Sequence, residues 1–551
     1  MLGCAAVSDS ATFDYIVVGA GSSGCVVASR LAARARVLLL EEGPPDTGVR
    51  DGTDLGPLIS QTANAILAAW NPGISKLFQT VPQAHLNGKS VVINRGIVRG
   101  GCSTVNGMIY VRGNRRDFDG WAQLGNDGWS YDEVLPYFKK SEDFDGAPLK
   151  YANEDLEYHG RGGPLHVRPV PNPSPLAQAF VAAAGERGFQ GGDPAWDYNG
   201  HQQEGGVAPY QVTVTADGQR ASTAEAFLDG LPSTAQLTVL TGTTVARVLL
   251  DGHRAVGVEC VSSDPSKPAQ QFRAEREVIL CAGAFGSPKL LMLSGIGPAD
   301  DLRAKGLGPR VDLPGVGQNL QDHLMILLFH VAAQDPGQAG FTAEAGLFVN
   351  TRDRSGASSP DLQIDVLARM PTLPPMLSET FQLPEAYFLF VPTVLQPRSR
   401  GSVTVRSDRP TDDVLIQPNY LEREADLQVL MAGIELTRDI VATKSLAPFV
   451  KPCVAPFALP DFKPTRLPLP ARGSTSSLRE FIAATPTTPW HPVGTCKMGR
   501  DGLAVVDPSL RVYGVDGLRV ADASIMPTIP AANTNAACIM IGEKCADLVG
   551  A

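Results

Sequence analysis

At 551 residues, with 43% hydrophobic and 19% charged side chains, the chain is too long for a disulfide-stapled module and too apolar to stay disordered; at roughly 100 to 200 residues per domain it holds several full cores. Its 57 acidic against 47 basic residues leave a formal charge of -10, which provides no field to hold a polyphosphate, so nucleic acid is not an expected partner. Glycine (56 residues) and proline (44 residues) make up about 18% of the chain against an average near 12%, and abundant loops are expected.

In chain order, Leu2, Gly3 and Cys4 resemble part of a lipoprotein cleavage box, but no basic and apolar segment precedes them, and no such role is expected. Residues 14–18 form a short β-branched apolar run that passes into Gly19, Ala20, Gly21, Ser22, Ser23 and Gly24, a GxGxxG turn. Helix-compatible residues follow over 25–33, then a second buried-strand run over 36–40 ending in Glu41. Strand, glycine turn, helix, strand and acid together predict a dinucleotide-binding βαβ unit. The first glycine permits the tight turn, the second lets backbone approach a pyrophosphate, and the third lets helix pack on strand; Glu41 is placed to accept from ribose hydroxyls. The pattern alone does not choose between NAD and FAD. Residues 50–90, with an apolar stretch over 63–70, are expected to form a lid. A second glycine-rich stretch spans 95–113 and contains Gly100, Gly101, Cys102, Val105 and Asn106; a third spans 283–297, directly after the strand-like residues 277–281. Residues 244–250 are strand-like too, and the longest apolar run, 324–333, is about ten residues, well below the roughly 18 that span a bilayer. No stable membrane insertion is expected. The carboxyl-terminal block contains Trp490, His491 and Pro492, then Asp522 and Ala523, then Asn533 and Asn535.

The nine cysteines are scattered without a pair at two-residue spacing, and the eight histidines offer no pair three or four residues apart. Neither a metal site nor a disulfide framework is expected, and a reducing, cytoplasmic compartment is.

With all four blocks in view, the sequence resembles the glucose-methanol-choline (GMC) oxidoreductases, FAD-dependent alcohol oxidases and dehydrogenases with a few lyases and a photoenzyme. The resemblance covers nearly the whole chain; 283–297 fits the family's second signature, while Ile97, Arg99 and Cys102 depart from the first. It implies an α/β fold, with a Rossmann-like FAD-binding domain interleaved with an α+β substrate domain built on an antiparallel sheet. The expected boundaries are 1–167, 220–325 and 491–551 for the FAD part, with 168–219 and 326–490 for the substrate part. Alternation over 401–406 and proline-rich connectors over 371–397 and 452–470 suit a sheet with long loops forming a substrate roof.

The resemblance further implies that Gly19, Gly21 and Gly24 face the FAD diphosphate, with Ser22 and Ser23 beside it, and Glu41 the adenosine ribose. Val245 would meet adenine through its backbone. Gly100, Gly101 and Asn106 would lie along the flavin, Asp522 and Ala523 at the ribityl and diphosphate end, and Asn533 near the flavin ring. Some relatives attach FAD covalently through a histidine where this chain has Val105, so noncovalent FAD is expected. His491 would be the base for a hydroxyl proton, with Asn535 orienting the substrate oxygen, because an asparagine amide does not titrate near pH 7. Glu344 matches a glutamate that some choline-oxidising relatives set against a trimethylammonium group, although a structural role is the favoured reading, and Trp490 is a candidate substrate contact. The expected reaction is oxidation of an alcohol to an aldehyde or ketone, the substrate being an aromatic, aliphatic or choline-like primary alcohol, with oxygen or another acceptor taking the electrons. The alternatives are a lyase on the same scaffold, a light-driven decarboxylase and a flavin-binding protein without turnover.

Overall fold

In residues Thr12–Val18 (β1), Phe13 and the run Tyr15 to Val18 are buried, as a central parallel strand covered on both faces requires, while Thr12 and Asp14 at its start are half-buried. Gly19, at φ +101°, turns the chain into helix Ser22–Ala32 (α1), and the chain returns as Val37–Leu40 (β2), parallel to β1 with Tyr15 beside Val37 and Val18 beside Leu40. The βαβ unit expected from the sequence is therefore present. The computed structural model describes residues 12–50, 52–147, 149–192, 195–201, 205–261, 269–337, 340–352, 358–368, 383–460 and 465–550. Leu2, Gly3 and Cys4, and residues 371–382 of the first proline-rich connector, lie outside these.

Around β1 and β2 a seven-stranded sheet forms in the order Leu237–Leu240, β2, β1, Gln270–Leu280, Arg254–Val261, Thr244–Asp251, with Leu518–Val520 also paired to Gln270–Leu280. Gln270–Leu280 has two roles. Its first residues pair antiparallel with Arg254–Val261, and its last three, Val278, Ile279 and Leu280, run parallel between β1 and Leu518–Val520. The parallel strands thus end at one edge, where Gly19, Glu41, Cys281 and Ala521 follow them, and a crevice at that edge is the expected ligand site of such a sheet.

A second, nine-stranded sheet carries the order Leu467–Pro468, Phe457–Ala458, Leu328–Val331, Tyr387–Val394, Leu362–Leu367, Ala345–Val349, Val207–Pro209, with Leu324–Ile326 and Pro486–Thr487 joined beside Tyr387–Val394. All of its pairings are antiparallel. Its pleat sorts side chains by alternate position. Phe388, Phe390, Ile364 and Val366 pack with Phe180, Leu430 and Ile434 of helices Pro175–Glu186 and Glu424–Val441. Tyr387, Leu389, Val391, Asp365 and Leu367 face the other way, into a cavity.

Two expected boundaries cut through strands. Position 167/168 divides Leu165–Pro169, which pairs with Glu142–Phe144 and Gln211–Val212; position 325/326 divides Leu324–Ile326, already part of the second sheet. The alternating stretch near 401–406 also does not join that sheet: Ser402–Thr404 pairs with Leu415–Gln417 in a separate ladder. Among the described residues no helix is long and apolar enough to cross a membrane.

Candidate active site

At the edge where the parallel strands end lies a cavity of about 220 Å³. Gly19, Gly21, Ser22, Ser23, Glu41, Gly101, Val245, Asp522 and Ala523, nine of the residues expected at the cofactor, line it. A Cβ at position 19 would stand 2.5 Å from the Cys281 carbonyl oxygen, and one at position 24 would stand 1.9 Å from the Gly19 carbonyl oxygen, whereas one at 21 would meet nothing within 4 Å. Gly19 and Gly24 therefore permit close packing, and Gly21 opens backbone onto the cavity. The first residues of α1 and of helix Gly283–Leu293 border it, so two helix amino termini offer amide donors and partial positive charge to an anion.

The acids hold this crevice together. Glu41 accepts from the Ala20 N–H at 2.9 Å and the Gly43 N–H at 2.8 Å, and burial raises its carboxyl to about 7 against those two bonds. Asp522 accepts from the Gly283 N–H at 2.8 Å, the Ser287 hydroxyl at 2.5 Å and the Ser524 N–H at 2.8 Å, which ties three turns around one carboxylate. An elongated dinucleotide suits this cradle: open backbone and helix termini for its diphosphate, an acid beside β2 for a ribose.

Adjoining it, and sharing Ser22, Arg95, Gly96, Cys102, Ala523 and Cys538 as walls, is a cavity of about 310 Å³. One side holds Asn106, Trp490, His491, Asn533 and Asn535; the other is the face of the second sheet with Phe329, Leu367, Tyr387 and Leu389. Ile66, Ala69 and Trp70 of the 50–90 segment close a further side, and Trp70 meets Trp490 edge-on at 6.3 Å.

Trp490 has φ +64°, an uncommon conformation for a bulky residue, and neighbouring bonds hold it there. Its N–H donates to Thr488 Oγ1 at 2.9 Å, its carbonyl accepts from Arg95 Nη1 at 2.7 Å, and the His491 N–H donates to Asp322 Oδ1 at 2.8 Å. Asp322 Oδ2 also accepts from the Thr488 and Tyr420 hydroxyls, and burial raises this carboxyl to about 6. The His491 ring is held by a directional chain. His323 Nε2 lies 3.0 Å from the Leu395 carbonyl, an acceptor, so that nitrogen carries the hydrogen and His323 Nδ1 is left with a lone pair. His491 Nδ1, 3.0 Å away, must then donate to it, which leaves the lone pair of His491 on Nε2, 3.4 Å from the Asn533 amide nitrogen. Burial drives His323 down to about 3, and burial, then His323, then Arg95 hold His491 well below its usual value of 6.5. Both rings are neutral at pH 7. Asn535 begins helix Asn535–Gly550 and accepts through Oδ1 from the Ser22 hydroxyl at 2.6 Å, so its amide N–H groups are left for the cavity.

Three expected site residues line neither cavity. Gly24 packs α1 against its own turn, and Gly100 sits in a turn where a Cβ would lie 2.2 Å from Thr104 Oγ1. Glu344 is buried with its oxygens accepting from the Ser174 N–H at 3.0 Å and the Gly340 N–H at 3.2 Å, a loop-holding role that leaves it away from any substrate in the cavity. Arg99, one departure from the first signature, turns to Asp46 and Asp229 at 2.6 Å each. Asp322 and His323 were not singled out from the sequence; a polar pair directly before a buried apolar strand was their only local signal. Arg220 was missed also. Buried, and among the described residues without a carboxylate partner, it donates to the Asn106 carbonyl at 2.7 Å and to Asn106 Oδ1 at 3.0 Å, and burial lowers it to about 9.

Comparison with known proteins finds relatives over nearly the full length of the chain. The chain is 37% identical over 569 residues to an alcohol dehydrogenase [acceptor] of Pseudomonas putida, covering 98% of this chain and 95% of that one. It is 37% identical over 569 residues to an oxygen-dependent choline dehydrogenase of Pseudomonas savastanoi pv. phaseolicola, covering 98% and 93%. Among solved structures, pyridoxine 4-oxidase from Mesorbium loti superposes with a TM-score of 0.84 at 31% identity, covering 97% of this chain and 98% of that one. Residues 13–325 and 397–542 match the GMC oxidoreductase family. The chain belongs to the GMC oxidoreductases and is an FAD-dependent oxidoreductase acting on CH–OH donors.

Proposed function

We propose that the protein oxidises a primary alcohol to an aldehyde, with His491 Nε2 taking the hydroxyl proton. The observation that carries this reading is the chain from the Leu395 carbonyl through His323 to His491, which presents an unprotonated Nε2 to the cavity. Asn535, anchored by Ser22, directs amide hydrogens at the substrate oxygen, and Asn533 occupies the Nε2 lone pair until an alcohol displaces it. Bound FAD supplies the hydride acceptor for the carbon that loses its hydrogen. Glu41, Gly21 and the two helix amino termini hold the dinucleotide, and Val105, an alkyl side chain on the cavity wall, offers no nucleophile for covalent attachment. Leu367, Leu389, Phe329 and Trp490 exclude water from the substrate and favour an aryl or alkyl body.

Anaerobic bleaching of the flavin absorbance by a panel of alcohols tests the proposal. Wild-type protein is expected to bleach with at least one primary alcohol, and His491→Ala to bleach at least about 100-fold more slowly, the lower end of general-base catalysis. Equal rates in the two proteins across pH would remove His491 as the base, and no bleaching by any alcohol would favour the lyase alternative.

A further inference from the structure

Asp365 stands on the cavity face of the second sheet, among side chains with little polarity to offer. Its neighbours on the cavity wall include Phe329, Leu367, Tyr387, Leu389 and Val391. An ionised carboxylate in such a wall is costly unless it is bonded on both oxygens or paired with a cation. Only half of that requirement is met. Oδ1 accepts from the Tyr210 hydroxyl and from Gln363 Nε2 at 2.9 Å, and Gln363 Nε2 also lies 2.8 Å from Tyr210 Oη. Among the described residues, Oδ2 takes no hydrogen bond and no lysine, arginine or histidine forms an ion pair with Asp365.

The surroundings are built to hold Asp365 in place. Tyr210 and Gln363 are buried at 0% and 2% exposure, and Gly346, paired with Asp365 across the ladder, leaves the space that Tyr210 needs: a Cβ there would stand 1.7 Å from Tyr210 Oη. Burial raises the Asp365 carboxyl to about 6, which leaves it charged at neutral pH, while the same burial and the adjacent carboxylate keep Tyr210 protonated as a donor. Arg95, the arginine on the cavity wall, is engaged with the Trp490 carbonyl at 2.7 Å and makes no ion pair with Asp365. The carboxylate is therefore fixed by one oxygen with the other left for a ligand.

We propose that Asp365 Oδ2 receives an N–H of a protonated amine carried by the substrate, so that the preferred alcohols are amino alcohols with an apolar spacer between hydroxyl and nitrogen. The assignment rests on the alcohol-oxidation reading above and adds the substrate class. Phe329 and Tyr387 present aromatic surface beside the same cation. The charge-assisted bond, formed away from bulk water, provides orientation as well as affinity.

The test compares 4-(aminomethyl)benzyl alcohol with 4-ethylbenzyl alcohol, which have the same shape and differ in the ammonium group. Wild-type protein is expected to favour the amine at least tenfold in kcat/KM, and Asp365→Asn, whose carbonyl oxygen still accepts from Tyr210 and Gln363, to lose that preference. Calorimetric binding of benzylamine to FAD-loaded protein reads the same contact without turnover, and a Kd at least tenfold weaker in Asp365→Asn is expected. Equal kcat/KM for the two alcohols in wild type, or a benzylamine affinity that the substitution leaves unmoved, overturns the assignment. If neither alcohol bleaches flavin while benzylamine still binds in an Asp365-dependent way, the oxidation reading fails and the Asp365 site stands.

Discussion

His323 does not line the cavity, yet its tautomer decides which nitrogen of His491 is basic. His323→Leu leaves the His491 Nδ1 hydrogen without an acceptor inside a buried site, a loss of about 1 to 3 kcal/mol, and kcat/KM should fall by about 10- to 100-fold. His323→Asn keeps an acceptor oxygen and should recover much of that loss. The pH profile separates this positioning role from a general loss of structure. Only neutral His491 can take a proton, so activity is present above its pKa and lost as pH falls through it. With burial, His323 and Arg95 all lowering that pKa, the acid limb of kcat/KM in wild type should lie well below pH 6.5, and in His323→Leu it should move upward. An unmoved limb in the variant would contradict the positioning role. His491 and Asn535 were legible in the sequence because each sits in a dense local motif. Asp322 and His323 were not, because they act on His491 from 169 and 168 positions away. Asp365 was missed for the same reason: its partner Tyr210 lies 155 positions earlier, and nothing local marks a carboxylate that the pleat will turn inward. Glu344 shows the converse case, a matching residue whose carboxylate is taken up by two loop amides.

Among the elements, the strand Leu328–Val331 places His330 against Phe388 of Tyr387–Val394, with the rings stacked at 5.1 Å and Nε2 buried without a partner among the described residues. Burial lowers this imidazole to about 4. The unfolded chain therefore binds a proton below about pH 6.5 that the folded chain refuses, and stability falls as pH drops from 6.5 toward 4. At pH 5 the difference of about 1.5 pH units corresponds to about 2 kcal/mol. His330→Phe should remove it, so the variant gains about 2 kcal/mol over wild type on going from pH 8 to pH 5, read from denaturant unfolding at both values. Comparing the two pH values cancels any packing change that is independent of protonation. The same strand shows what patterning hides. The run 324–333 reads as one apolar segment, but it forms Leu324–Ile326 and Leu328–Val331, which pair with different parts of Tyr387–Val394. Tyr387–Val394 is itself buried at all eight positions, so no alternation of polar and apolar residues advertises its two faces. β1, α1 and β2 were legible because a glycine turn with a fixed geometric role punctuates them; the second sheet, with helices on one face and a cavity on the other, was legible only as an antiparallel insert with uncertain edges.

For the whole molecule, the cofactor crevice is a junction of distant chain segments. Gly19, Glu41, Arg95, Val245, Ala282, Asp413 and Asp522 all border one cavity, and Arg95 and Ala523 carry its wall onward to the cavity under the second sheet. A dinucleotide bound there contacts the turns that follow several strands of the seven-stranded sheet and adds to the bonds already gathered at Glu41 and Asp522. It should therefore stabilise the folded chain by mass action, by about 2.7 kcal/mol when free FAD is at 100 times its Kd. If FAD is held without a covalent bond, Tm should rise with added FAD, and acid precipitation of the loaded protein should leave the flavin colour in the supernatant. Val105 makes attachment through a histidine at that position impossible, but Cys102 and Cys538 border both cavities as free thiols. Burial raises Cys538 to about 12, which keeps its nucleophilic thiolate scarce. Colour that stays in the pellet would overturn the noncovalent reading, and loss of that retained colour in Cys102→Ser would then locate the bond.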